Sequence, residues 1–161
     1  MTPLAWLVAF LLPACGASGA GGLPAPTLLD MAGLQRPTSP NNALAAPAGS
    51  DGPAPDIVTP VYPLSPAHLY EDVLAVAGRQ PRTFPAAAFP GARQAHFVVR
   101  SAVLNFPDLV TIEVDAAGPQ ASTLVLYSRS VYGYSDFGVN RQRLDAWLAA
   151  LQATINHTDQ R

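Results

Sequence analysis

Toward the C-terminal end of the chain, Leu144, Trp147, Leu148, Leu151 and Ile155 stand at i, i+3, i+4, i+7 and i+11. That spacing puts them on one stripe of a helix and predicts a helix over 139–155. Further upstream the period changes to two. Phe97, Val99, Ser101 and Val103 share one face of a strand over 94–104. Val110, Ile112 and Val114 share a face over 109–114, with Thr111 and Glu113 opposite. The turn Asn105-Phe-Pro-Asp108 joins these two as antiparallel neighbours. A third strand, over 123–131, follows the turn Ala116-Ala-Gly-Pro-Gln120. Before the strands, Ser65-Pro66 supplies a cap and a first-turn proline for a helix over 67–77, ended by Gly78. Residues 81–90 read as irregular, with a short edge strand around Phe84. The pattern predicts an α+β domain: an antiparallel sheet of three to four strands, flanked in sequence by an N-terminal helix and a longer C-terminal one, both on one sheet face.

Ahead of this pattern the chain changes character twice. Leu4 to Leu12 is a short apolar run, too short to span a bilayer as a mature helix. It ends in Leu12-Pro13-Ala14-Cys15-Gly16, small residues that suit a signal peptidase. Cys15 is the single cysteine and has no partner for an internal disulfide. It stands where a lipobox-like segment would carry its lipid, although Pro13 and the lack of a basic residue before the run depart from that pattern. Residues 16–56 are rich in Ala, Gly and Pro and show no apolar period, which reads as a flexible linker. The expected organisation is a signal or lipoprotein-like segment over 1–15, a linker over 16–56 and a folded domain over 57–161. The expected location is the cell envelope, lipid-anchored and facing the periplasm, or else secreted and soluble.

Composition narrows the function. A net charge of −2 argues against non-specific nucleic-acid binding. His68, His96 and His157 have no metal-ligand spacing with each other, Cys15 or a carboxylate, so no metal or other cofactor is expected. No G-x-S-x-G elbow, phosphate-binding loop or dinucleotide fingerprint occurs.

The chemistry concentrates in Tyr127 to Arg143, a polar, glycine-punctuated run between the last strand and the last helix. Ser135, Asp136 or Asn140 is placed to cap that helix. Arg141 and Arg143 then fall in its first turn, where the helix dipole disfavours cations. They call for a compensating partner. An internal network supplies one if Asp136, Asp108 or Glu113 pairs with them. A bound anion supplies another, held by Arg129, Ser130, Ser135, Asp136, Asn140, Arg141 and Arg143 together with free N–H groups at the helix start.

Arg100-Ser-Ala-Val-Leu-Asn-Phe-Pro-Asp108 followed by Ser128-Arg-Ser-Val-Tyr-Gly-Tyr-Ser-Asp-Phe-Gly-Val-Asn-Arg-Gln-Arg143 resembles the DUF1499 family, a domain of unknown function. Ser128, Arg129, Ser130, Gly133, Ser135, Asp136, Gly138, Asn140, Arg141 and Arg143 fit the hallmark S-R-S-R-x-G-x-S-D-x-G-x-N-R-x-R; Val131 stands where it has Arg. Arg36-Pro-Thr-Ser-Pro-Asn41 is similar to an upstream segment of the family, with Asn42 where a Cys is usual. The resemblance spans roughly 36–155 and implies an exported or membrane-associated protein, without implying a reaction.

Three readings follow. The first is a membrane-tethered binding module whose Arg-rich site takes a small anionic ligand or a lipid headgroup. The second is a structural or assembly protein in which the motif is an internal ion-pair network. The third, ranked last, is an enzyme using Asp136 and the arginines.

Overall fold

The computed structural model describes residues 13–158; the apolar run Leu4–Leu12 lies outside the described residues. The elements, in chain order, are a single helical turn α1 (Pro13–Gly16), β1 (Asn42–Pro47), β2 (Ile57–Thr59), α2 (Pro66–Arg79), β3 (Thr83–Phe89), β4 (Gln94–Arg100), β5 (Pro107–Gly118), β6 (Ala121–Ser130) and α3 (Val139–Thr158). A short 3-10 turn, Pro90–Ala92, links β3 to β4. The strands form one sheet in the order β2-β1-β6-β5-β4-β3.

The class is α+β, but the sheet differs from the one expected. It has six strands in mixed pairing, not three to four antiparallel ones. β3 to β6 make an antiparallel meander. β1 adds antiparallel to β6, and β2 runs parallel to β1. β1 lies inside the stretch 16–56 that the prolines mark as a linker. Proline and alanine bar a helix there without barring extended backbone. β3 confirms an edge strand at Phe84 but is longer, with its register shifting between Pro85 and Ala87. An edge bulge is where a strand tolerates proline.

Both long helices cover the same sheet face, as the apolar stripes require. Ser65 accepts the His68 N–H and caps α2. Leu69, Val73 and Val76 of α2 and Leu144, Trp147, Leu151 and Ile155 of α3 join Phe97, Val99, Val110, Ile112, Val114, Leu124 and Leu126 in one core. Each such side chain contributes about 1.5–3 kcal/mol by leaving water.

The other sheet face is covered by the chain itself. Residues 14–40 run across it as an irregular strap, and Met31 and Leu34 pack with Leu44, Ala46 and Tyr127 in a second, smaller core. Two polar fasteners hold the strap. At one end of the sheet Arg100, 2% exposed, donates to the carbonyls of Ala14, Gly19, Gly21 and Asn105. Asn105, in left-handed backbone at φ 58°, donates to Cys15 O and Ala17 O. At the other end the Gln94 side-chain amide bonds both the N–H and the C=O of Leu29, at 2.8 and 2.7 Å. A buried amide or guanidinium is retained where it satisfies groups that otherwise lose water without replacement.

Candidate functional site

The motif divides along β6, because successive residues of a strand face opposite sides of the sheet. Ser128 and Ser130 point toward α3, and Arg129 toward the strap.

On the α3 side the motif closes on itself. Asp136 starts the helix: its carboxylate accepts the N–H of Gly138 at 2.9 Å and of Asn140 at 2.7 Å. This turn needs positive φ at both Phe137 (54°) and Gly138 (81°). Asn140, fully buried, donates its amide to Asp136, Ser130 Oγ and the carbonyl of Asn41. Its Oδ1 accepts from Ser128 Oγ and from Arg143. Arg143 donates to Ser128 Oγ at 2.8 Å and forms an ion pair with Asp108 at 2.6 Å, with the two side chains only 11% and 10% exposed. Asn41 donates in turn to Gly133 O, so the start of β1, the end of β6 and the start of α3 are bound into one polar cluster. Here Arg143 finds the internal partner that its unfavourable place on the helix dipole calls for.

Arg141 behaves differently. It is exposed and reaches only Asp145, at 4.0 Å and one helical turn on. Ser135 is also exposed and accepts the Phe137 N–H at 3.3 Å. The seven predicted ligand-binding residues therefore do not converge on one site. Ser130, Asp136, Asn140 and Arg143 meet in the cluster, Ser135 and Arg141 lie at the surface, and Arg129 is on the far face.

Arg129 lines a cleft of about 750 Å³ between strap and sheet. Leu23, Leu29 and Leu34 form the strap wall, and His96, Thr111 and Tyr127 the sheet wall. The Arg129 side chain is exposed and makes no hydrogen bond or ion pair with any described residue. Arg36, also in the wall, is already paired with Asp56 at 2.6 Å. The Tyr127 hydroxyl is shielded from solvent and lacks a hydrogen-bond partner among the described residues. Burial raises its pKa, against the nearby charges of Arg129 and Arg36. His96 is buried between Gln94 Oε1 at 2.9 Å and Thr111 Oγ1 at 3.1 Å, and burial lowers its pKa. Glu113, bonded to Gln94, is shifted upward, again mainly by burial.

The sequence does not reveal this cleft. Its strap wall comes from residues that show no period. Only the alternation along β6, which sends Arg129 away from Ser128 and Ser130, signals that the motif has two sides.

Cys15 lies in α1 with its thiol buried, and burial raises its pKa. Attachment of a lipid there requires this turn to open. Among the described residues no group of histidine, cysteine and carboxylate side chains could hold a metal ion, and no helix is long and apolar enough to cross a membrane.

A sheet covered by two helices on one side and by its own strap on the other, with a buried Asp–Arg cluster at one corner, defines a small strapped α+β domain. The family model described as "Protein of unknown function (DUF1499)" matches residues 34–151, and the chain belongs to that family. The match takes in β1 and the later part of the strap. No curated protein matches. Among solved structures, the chain is similar to one described as "Crystal structure of the di-domain ARO/CYC BexL from the BE-7585A biosynthetic pathway", at 15% identity and a TM-score of 0.45. That alignment covers 60% of this chain and 44% of the other.

Proposed function

We propose that the protein is a binding module of the cell envelope that holds an amphipathic anion, an acidic group on an apolar body, between strap and sheet. The observation that carries this reading is Arg129: a guanidinium without a partner among the described residues, at the wall of a roomy cleft whose other walls are largely apolar. Ligand sites combine apolar walls with a few polar groups that fix orientation. An arginine is suited to carboxylate or phosphate oxygens. The Asp108–Arg143 cluster then acts as scaffold, holding β6 and so the direction in which Arg129 points. The envelope location is supported by the apolar run Leu4–Leu12 and the small residues after it. The tether is that run itself, or a lipid on Cys15 once α1 opens.

The test is thermal unfolding of the full chain in zwitterionic nanodiscs with hexyl phosphate, hexanoate, inorganic phosphate or hexanol. An alkyl anion should stabilise the protein, by about 2.7 kcal/mol at a hundred times its Kd. Hexanol should not, and Arg129→Leu should abolish the effect. Comparing phosphate with carboxylate names the head group. If neither alkyl anion raises the melting temperature, or if Arg129→Leu leaves the rise intact, the reading fails.

A further inference from the structure

The strap fastener, the exposed apolar side chains and the exposed arginines all gather at one end of the sheet. Antiparallel pairing puts the end of β4, the start of β5 and the end of β6 together there, since Arg100 faces Pro107 and Asp108 faces Ser130. The loops 101–106 and 131–138 leave from this end, and α3 begins at it. Phe106 and Tyr132 join the two loops by ring contact at 6.4 Å. Among the described residues, four of the seven exposed large hydrophobic side chains lie here: Val103 at 72% exposed, Tyr134 at 75%, Phe137 at 92% and Val139 at 46%. Single exposed apolar residues are ordinary, but a grouping on neighbouring loops marks a contact surface.

Charge separates along the same axis. Arg79 ends α2, Arg82 lies between α2 and β3, Arg129 near the end of β6 and Arg141 in the first turn of α3, all exposed and all at this end. There they outnumber the half-buried Asp136 and the exposed Asp145 beside Arg141. The exposed Asp30, Asp51 and Asp115 lie toward the opposite end, near the start of β4 and the β5–β6 turn, with the half-buried Arg93 among them. The protein is thus weakly acidic as a whole but basic at one pole.

The N-terminal part of the chain reaches the fold at this same pole. Arg100 holds Ala14 O, and Asn105 holds Cys15 O. The apolar run Leu4–Leu12 immediately precedes these residues in sequence. As that run, the tether leaves from beside the apolar loops and the arginines. With α1 open, a lipid on Cys15 still lies within a few residues of Gly19 and Gly21, which Arg100 holds at the same pole.

From these observations we infer that the loops 101–106 and 131–138 form a docking surface for an anionic lipid bilayer, on which the domain sits in a fixed orientation with its acidic pole away from the membrane. Val103, Tyr134 and Phe137 enter the interface, where aromatic and aliphatic side chains gain from leaving water. Arg79 and Arg141 meet the head groups, with Arg82 beside them bonded to Arg100 O and Asn105 Oδ1. Each basic side chain near the head groups raises the affinity about fivefold. The strap is then a short fixed link rather than a long leash. Arg129 and Val131 of the cleft lie at the same pole, so the cleft borders the bilayer. The inference rests on the envelope location proposed above and is independent of what the cleft binds.

The experiment is amide hydrogen exchange of the full chain on vesicles of phosphatidylcholine with phosphatidylglycerol, beside flotation of the same samples. Exchange in 101–106 and 131–138 should slow on the mixed vesicles and less on pure phosphatidylcholine, while 48–52 stays unchanged. Val103→Ser with Phe137→Asn, chosen because Asn tolerates the left-handed backbone of position 137, should restore fast exchange in both loops. If the chain floats with the vesicles but its loops exchange freely, the docking surface is disproved and the tether stands. If the chain does not float, both the docking surface and the envelope location fall. Equal protection without lipid, rising with protein concentration, would make the surface a contact between copies and overturn the inference.

Discussion

Ser128 and Arg129 are neighbours on β6 with opposite surroundings. Ser128 is fully buried and bonded to Asn140 and Arg143; Arg129 is exposed and unpaired with any described residue. Two arginines of one motif, 129 and 143, thus do different work. One satisfies a buried carboxylate and closes the corner of the fold. The other is left available on a cleft. A polar, Arg-rich motif is therefore not by itself a ligand site, because strand alternation divides its side chains between two compartments.

The largest effect should come from breaking the buried cluster. Arg143→Ala leaves Asp108 buried without its partner and should cost about 3–5 kcal/mol, measured by equilibrium denaturation. Replacing both members, Asp108→Leu with Arg143→Met, should recover much of this, because no unpaired charge remains. A smaller loss is expected from Arg100→Leu, which strips four carbonyls of their donor. On the order of 2–3 kcal/mol should be lost, with protease cleavage appearing in 14–22 before the sheet unfolds.

The pH dependence sharpens the comparison on the strap face. Burial depresses the pKa of His96, so its contribution is present above the unfolded value of 6.5 and is lost as pH falls toward the folded one. Glu113, raised from 4.5, has the opposite sign: the folded state takes up its proton first as pH falls. In a Glu113→Gln background, stability should therefore fall below about pH 6.5, by at most about 1.4 kcal/mol per pH unit from this one histidine. His96→Gln should flatten that slope. Smallest of all, Arg141→Ala should change stability by less than about 0.5 kcal/mol, because its ion pair is long and in water.

The helix-covered half of the molecule was legible in the sequence. The stripe from Leu144 to Ile155, the alternation over 109–114 and the Ser65 cap each carry a local period or signature, and the structure uses all three. The strap-covered half was not. Asn-Ala-Leu-Ala-Ala-Pro, which becomes β1, has neither a period nor β-branched side chains, and only its partner β6 makes it a strand. The fasteners Arg100 and Gln94 act on residues 79 or more and 65 positions away, respectively, apart from the Asn105 carbonyl and near neighbours, and no sequence spacing encodes that. The motif was recognised as a unit, and an internal partner for its arginines was foreseen among Asp136, Asp108 and Glu113. Of these only Asp108 pairs, while Asp136 caps α3 and Glu113 bonds Gln94. What its residues did not reveal is that Arg143 alone takes the buried partner.

The most direct test of the division is urea denaturation of the full chain carrying Arg129→Ala, beside Arg143→Ala and the unmodified protein. The Arg129→Ala curve should overlie that of the unmodified protein to within about 0.5 kcal/mol, while Arg143→Ala shifts by several times as much. Equal destabilisation by the two substitutions would mean that Arg129 is also part of the scaffold, and would contradict the account.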